Sequence, residues 1–385
     1  MRQGWPAGPA APTLTKVQRL GGLASHSPAD ELTEPGVAAY LIRRGLVPAL
    51  AVTCGRVRIS NISGRNAMFT CTDDDGPSYV VKRTAADAVE SDTDAGVSVE
   101  GPVSRLISRF VPDSGFRLYD DAAGMLVLDL ARHSRDLRRH HVETGRLPAS
   151  IAAAVGRLLA EVHSIPLARL RWLRARQPPV FSVQRPSLQV VQSVSSANLE
   201  LLTVIQRHTE LCTLLDDAVQ VWEPLALVHG DLRWDNCIVL RGSRRKAGVG
   251  VRLIDWEFAR RGDPHWDLAS FIAEYVAWWT AGLVPARRSN GDHLVQQVPA
   301  AAIHRPIASF WRAYVRGRGL PRANISSSLI TTTKLVAVAL IERAAQQLHD
   351  EARFGGHAAV LLQVAFNILR APATAADELL GLGHA

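Results

Sequence analysis

Two neighbouring stretches decide the reading of this chain: LVHGDLRWDN, from Leu227 to Asn236, and RLIDWEFARRGDPHWDLA, from Arg252 to Ala269. The first opens on the end of an apolar strand, Leu225 to Val228, and runs into a loop where Asp231 and Asn236 stand five residues apart. The second places Asp255 directly after the apolar run Val251-Arg252-Leu253-Ile254. Phosphoryl transfer from a nucleotide needs such an oxygen set. One carboxylate orients the acceptor hydroxyl and takes its proton, while an amide oxygen and a second carboxylate hold Mg2+ against the phosphates. Oxygen donors suit a hard cation, and the lack of clustered His or Cys argues against a softer metal. Taken alone, His-Gly-Asp is more often a plain turn. The turn, the Asn at the right offset and a second strand-borne Asp, in order, are a different matter.

The segment resembles the catalytic core of the aminoglycoside phosphotransferase and choline kinase-like family, relatives of protein kinases. That family carries an H-G-D-x-x-x-x-N loop, an I-D-W-E metal segment and a G-D-P-x-x-D-L-A segment. Here they are matched by His229-Gly230-Asp231 through Asn236, by Ile254-Asp255-Trp256-Glu257, and by Gly262-Asp263-Pro264 with Asp267-Leu268-Ala269. The resemblance implies Asp231 as catalytic base and Asn236 and Asp255 as Mg2+ ligands. His229 and Asp267 would brace the loop from beneath, and Arg233 joins His229 and Asp231 in the catalytic set.

A kinase of this type also needs a strand lysine for the nucleotide phosphates and a helix glutamate to orient it. Tyr79-Val80-Val81-Lys82 supplies the lysine, and Glu100, in the helical pattern Val97 to Phe110, is the best partner, with Glu90 as runner-up. The turn Ser63-Gly64-Arg65-Asn66 is similar to the family's phosphate-covering turn, so Ser63 and Gly64 are candidates for nucleotide binding. A plain hairpin loop reads almost as well. No G-x-x-x-x-G-K-[ST] occurs, which excludes a P-loop. The strand Met125 to Leu128 leads to a hinge whose backbone, at Asp129, Leu130 and Ala131, is expected to receive adenine.

Strands dominate the first third of the chain and helices the rest. A helix is expected from Glu34 to Arg44, capped by Thr33 and ended by Gly45, and a hairpin around Asp73-Asp74-Asp75-Gly76-Pro77. Helical periodicity marks Ser150 to His163, Leu201 to Trp222, Trp266 to Trp279, Ile307 to Arg316, Lys334 to Leu348 and His357 to Leu369; a β-like island spans Leu225 to Ile254. The expected fold class is α+β, a two-lobed protein kinase-like fold with a small β-rich N-lobe over residues 31–128 and a larger helical C-lobe over 129–385. Residues 1–30, rich in Gly, Pro and Ala, are expected to be a loosely ordered segment.

Hydrophobic residues at 47% and charged residues at 21% exclude a disordered regulator and a fibrous repeat. No run of eighteen apolar residues occurs, and no basic head with an apolar core opens the chain, so neither a membrane span nor secretion is expected. The four cysteines lie far apart without a C-x-x-C pair, as in a cytoplasmic protein, and argue against structural zinc or a disulfide scaffold. The net charge of +8 permits a polyanionic partner. No helix-turn-helix, aromatic RNA-binding stripe or zinc spacing points to nucleic acid.

Three features separate the chain from a regulated protein kinase. Gly230 stands where those enzymes carry an activation-sensing Arg, only eleven residues lie between Asp255 and Asp267 with no A-P-E after them, and about sixty separate His163 from the catalytic loop. Relatives insert helices there to wall an acceptor pocket. The expected function is ATP- and Mg2+-dependent transfer to a hydroxyl of a specialised acceptor. That acceptor is a small metabolite, or Ser/Thr of a ribosomally made precursor peptide in natural-product biosynthesis, with a partner biosynthetic enzyme left open. An aminoglycoside-type antibiotic kinase is one alternative. It fits poorly with Arg169, Arg171, Arg174, Arg176, Arg287, Arg288, Arg312, Arg316, Arg318 and Arg322, since a polycationic drug needs an acidic pocket. A nucleotide-binding pseudokinase acting as a partner-binding subunit is the other. Trp234 and Asp235 are expected to face the acceptor. His140 and His141 read as surface, Trp278 and Trp279 as core or pocket wall, and Cys237 as a packed small hydrophobe.

Overall fold

The structure, a computed structural model, describes residues 33–63, 67–83, 97–132, 134–240, 249–283, 299–349, 351 and 353–383. The whole of the expected loose segment 1–30 lies outside these residues, as do Gly64, Glu90, Arg287 and Arg288. Two short helices open the described part: α1 (Glu34–Arg43), capped by the Thr33 hydroxyl accepting from the Gly36 N–H, and α2 (Ala49–Thr53). Strands β1 (Val57–Asn61), β2 (Met68–Asp73) and β3 (Tyr79–Arg83) follow, then α3 (Val97–Ile107), β4 (Phe116–Asp120) and β5 (Met125–Asp129). The five strands form one antiparallel sheet in the order β1-β2-β3-β5-β4.

Strand alternation sorts this sheet's side chains between two faces. Phe69, Cys71, Tyr79, Val81, Met125 and Val127 pack with Val37, Tyr40 and Leu41 of α1 into a core of their own. Lys82, one residue after Val81, therefore points the other way, towards α3 and the cleft. It pairs in register with Met68 on one side and Leu126 on the other. On that second face Gly101 of α3 sits over the Tyr119 ring, where a Cβ would lie 2.2 Å from a ring carbon. Only glycine lets α3 approach so closely.

The larger part begins with β6 (Arg135–Asp136), α4 (Leu137–Thr144) and α5 (Ala149–His163). The inserted region holds α6 (Leu188–Ser193), α7 (Ser196–Arg207) and α8 (Thr209–Gln220). The single helical stretch expected from 201 to 222 is thus two helices. His208 breaks them with a non-helical backbone, and its ring accepts from the Leu211 N–H as the cap of α8. Next come β7 (Ala226–Val228), β8 (Cys237–Leu240), β9 (Gly250–Leu253) and β10 (Arg260–Gly262). They form a β6-β8-β9 sheet and a β7-β10 pair that hold the two quoted stretches side by side. Four long helices follow, α9 (Pro264–Ala281), α10 (Ala301–Arg318), α11 (Arg322–Gln347) and α12 (Gly356–Arg370), and short helical turns over Pro372–Thr374 and Ala375–Leu379 come after them.

α9 is buried almost all round and forms the axis of this lobe. α11 is long and apolar enough to cross a bilayer, but more than half of its apolar window is buried inside the protein. Here α9 and α12 pack against it. The fold is therefore α+β and two-lobed, a small antiparallel sheet above a helical body. The two cores do not divide cleanly at residue 128, however. Val103, Leu106 and Ile107 of α3 belong to the larger core, so α3 is shared between the lobes.

Candidate active site

The β3 lysine meets its glutamate. Lys82 Nζ donates to both carboxylate oxygens of Glu100, at 2.9 and 3.0 Å, and to Asp255 Oδ1 at 2.7 Å. Burial works against the ammonium charge, but Glu100 and Asp255 outweigh it and raise its pKa, so Lys82 stays protonated. Burial likewise pushes the Glu100 carboxyl up, only partly offset by Lys82. Asp255 is the one described non-glycine residue in the left-handed region, with φ 67°. Such a backbone is costly for a side chain and persists only where the surroundings impose it. Here it turns the chain sharply out of β9 and into the turn Trp256–Phe258, which packs on α3.

Asp255 and the catalytic loop are joined through the backbone. The Ile254 N–H donates to the Asn236 carbonyl at 3.0 Å, and Asn236 Nδ2 donates to the Asp231 carbonyl at 2.9 Å and to its Oδ2 at 3.5 Å. Lys82–Asp255 and Asn236–Asp231 are thus two linked pairs, joined across the cleft by the Ile254 backbone that precedes Asp255. Asn236 spends its amide N–H on Asp231, which leaves its amide oxygen for another partner. Among the described residues no three His, Cys, Asp or Glu side chains converge as a metal cluster. The oxygens of Asn236 and Asp255 still fit Mg2+, which takes one or two protein donors and fills its remaining positions with phosphate and water.

Beneath the loop, Asp267 at the start of α9 accepts from the His229 N–H at 2.7 Å, the Gly230 N–H at 3.0 Å and His163 Nε2 at 3.2 Å. Burial alone would raise its pKa; His163 and His229 hold it below the usual carboxylate range. Tyr314 of α10 holds the far side of His163 at 3.0 Å. His229 donates from Nε2 to the Ile254 carbonyl at 2.8 Å, so one imidazole ties the catalytic loop to the strand that carries Asp255. Gly230 has φ 83°, and a Cβ there would lie 2.4 Å from the Phe258 carbonyl oxygen. The loop admits no larger residue at that point.

Other expected residues are placed differently. Trp234 does not face the acceptor side. The short turn Trp234–Asn236 winds its indole inward, 1% exposed, edge-on to His141 at 4.5 Å and Tyr275 at 4.9 Å. His141 is buried rather than on the surface, its Nδ1 against the Arg146 carbonyl at 2.7 Å. Ser63 closes its own hairpin: its hydroxyl accepts from the Met68 N–H at 2.9 Å and its N–H donates to Asn61. Gly64 lies outside the described residues. At the hinge, the Asp129 N–H donates to the Gly115 carbonyl and the Leu130 N–H to the Ser78 carbonyl, while the Asp129 carbonyl accepts from Arg252. The hinge groups left to meet a base are the Leu130 carbonyl and the Ala131 N–H. Cys237 is fully buried, and burial raises its thiol well above the ordinary value.

Arg233 keeps its Nε 3.2 Å from Asp231 Oδ2. Three residues not singled out from the sequence complete its surroundings. Glu274 of α9 pairs with Arg343 Nε of α11 at 2.9 Å and with Arg138 Nη2 of α4 at 2.8 Å. Arg343 Nη1 in turn lies 4.0 Å from Asp231 Oδ1. The signal for Glu274 and Arg343 was a charged residue inside an otherwise apolar helix. Such a residue is rarely buried without a partner.

The sequence profile of the Phosphotransferase enzyme family matches residues 59–296, more than half of the chain. No curated protein matches. Among solved structures, an ethanolamine kinase of Plasmodium vivax aligns at TM-score 0.54 and 14% identity, over 91% of this chain and 93% of that one. A choline kinase of Cryptosporidium parvum aligns at TM-score 0.53 and 13% identity, over 87% and 94%. A choline/ethanolamine kinase family protein of Mesorhizobium loti aligns at 0.50 and 15%, over 91% and 97%. At such identities these likenesses establish the shared two-lobed kinase-like fold. The matched profile spans both quoted stretches and the β3 lysine, and on it this chain belongs to the Phosphotransferase enzyme family, as an ATP-dependent enzyme that phosphorylates hydroxyl groups.

Proposed function

We propose that the chain moves the γ-phosphoryl group of ATP onto a hydroxyl of a small, specialised acceptor, in the cytoplasm, with Mg2+ held by Asn236 and Asp255. Bound there, the cation would neutralise charge on the nucleotide's phosphate oxygens. Lys82, locked by Glu100, supports the nucleotide phosphates, and the hinge groups of Leu130 and Ala131 meet the base. Asp231 orients the acceptor hydroxyl and takes its proton as the new oxygen–phosphorus bond forms and the bridging bond to ADP breaks. The observation that carries this reading is the pair of links Lys82–Asp255 and Asn236–Asp231, tied together by the Ile254 backbone next to Asp255 and drawn from residues 82 to 255.

That arrangement also counts against a pseudokinase, since Lys82, Asp231, Asn236 and Asp255 are all present and brought to one cleft. Asp231, whose side chain is 15% exposed, is reached past Arg233 and α11, which favours a slim acceptor. A Ser or Thr side chain of a precursor peptide would also be slim enough. The test is an intact-mass screen for a phosphate-sized gain with ATP and Mg2+, across polyols, hydroxy acids, amino alcohols, aminoglycosides and Ser/Thr peptides, with Asp231→Asn as control. A gain lost in the control is expected. Turnover undiminished by Asp231→Asn would remove Asp231 from the reaction.

A further inference from the structure

The next inference rests on the phosphotransferase reading and concerns what the acceptor side of the cleft is built to hold. Three described carboxylates on this side, Glu274, Asp235 and Asp231, are already counter-charged. Glu274, almost wholly buried, is held by Arg138 at 2.8 Å and Arg343 at 2.9 Å. Asp235 is held by Arg138 Nε at 2.8 Å. Asp231 itself faces Arg233 at 3.2 Å and Arg343 at 4.0 Å. Glu342, beside Arg343, has its carboxyl pushed up by burial. Among the described residues, Asp231, Asp235 and Glu274 are thus matched by the three guanidinium groups of Arg138, Arg233 and Arg343.

What is left over is hydrogen-bonding capacity on the guanidinium groups. The Arg343 side chain is 7% exposed. Its Nη1 donates to Gln346 Oε1 at 2.6 Å, yet its Nη2 is buried without a hydrogen-bond partner. The Nε atoms of Arg233 and Arg343 are buried too, but each faces a carboxylate as an ion pair, Asp231 at 3.2 Å and Glu274 at 2.9 Å, so the Arg343 Nη2 is the group left without one. Buried N–H groups of a guanidinium are rarely left unspent, because their lost hydration is not repaid. The planar fork of such a group matches a carboxylate or phosphate with two parallel bonds.

We propose that Arg343, with Arg233, is an anion seat beside Asp231, and that the acceptor is a small hydroxyl compound bearing a carboxylate or a phosphate monoester. Such a compound has to approach Asp231 and the nucleotide phosphates, all of its own sign. The seat supplies the opposing charge and fixes which hydroxyl reaches Asp231. A polycationic or quaternary-ammonium acceptor would instead meet these two guanidinium groups.

Four acceptors on one three-carbon scaffold test this: glycerol, 3-amino-1,2-propanediol, glycerate and glycerol 3-phosphate, followed by ADP release and product mass. One of the two anions should exceed the neutral and cationic compounds by at least about tenfold in kcat/KM, chiefly through KM. The carboxylate and phosphate arms show which anion the seat takes. Arg343→Gln should erase that preference by raising KM for the anion, and Arg343→Lys should restore part of it. Equal use of all four compounds, or an Arg343→Gln that slows all four by one factor, overturns the inference; if the variant does not fold, the wild-type ranking decides alone. Should none be turned over, calorimetry on the ADP complex decides. Binding of glycerate or glycerol 3-phosphate, with none of the aminodiol, supports the seat, and no anion binding sinks it. Failure of ADP itself to bind would strike the phosphotransferase reading instead.

Discussion

Asp231 makes its own contacts through short-range geometry, and that is why spacing alone could point to it. The five-residue offset to Asn236 is bridged within the loop by the 2.9 Å bond from Asn236 Nδ2. Asp231→Asn should lower kcat by about 10²–10⁴-fold, the range for loss of a general base, while ATP still binds. ADP release and nucleotide titration check the two halves separately. The inward or outward sense of a single side chain was less legible. Trp234 and Asp235 are adjacent, yet one is core and the other half-exposed, because a tight turn rather than a strand period orients them. His141 shows the same difficulty and gives a pH prediction. Burial lowers its pKa to about 4, and its Nε2 has no partner. Below pH ~6.5 the unfolded chain takes up a proton that the folded one refuses until about pH 4, so stability falls as pH drops through that window. Between pH 7.5 and 5 the loss from this group is ~2 kcal/mol. Urea unfolding of wild type against His141→Gln should show that difference, and parallel pH profiles would exclude it.

Among the elements, those with a strong period were visible from sequence and those set by a partner were not. α5 reads clearly because its apolar face repeats, and it occupies Ala149–His163 against an expected Ser150 to His163. α10 reads shorter than it is, since its first turns, from Ala301, carry a less apolar pattern and Pro306. The α7–α8 break at His208 has no Gly or Pro to announce it. How closely two helices approach is also hidden from sequence. Gly156 of α5 faces α10 so tightly that a Cβ would stand 2.3 Å from the Phe310 carbonyl oxygen. In an isolated helix Gly→Ala is favourable by about 1 kcal/mol. Here the clash with backbone should win, and Gly156→Ala should destabilise by about 1–3 kcal/mol net, as overpacked cores do. A lower urea midpoint with an unchanged slope is the expected result; a more stable variant would mean that the helices part without cost.

For the molecule as a whole, the two-lobed outline followed from strands first and helices after, but the fastening of the lobes did not. It depends on residues far apart in sequence. α3 contributes to the larger core, Lys82 reaches Asp255, and Arg252 of β9 donates to the Asp113 carbonyl at 3.1 Å and the Asp129 carbonyl at 2.8 Å. A nucleotide in this cleft touches both lobes, so binding should stabilise them together. ADP with Mg2+ at a hundredfold excess over Kd should add about 2.7 kcal/mol, read as a rise in Tm. Arg252→Ala should weaken nucleotide binding and shrink that rise, whereas an identical rise would show the hinge to be held by other contacts. The link from Asp255 to Asp267 spans eleven residues, taken up by one turn, one short strand and the capped start of α9. That stretch is too short to hold a long loop that a phosphate could swing in or out of the cleft. Turnover by the purified protein is therefore expected without any prior phosphorylation of that stretch.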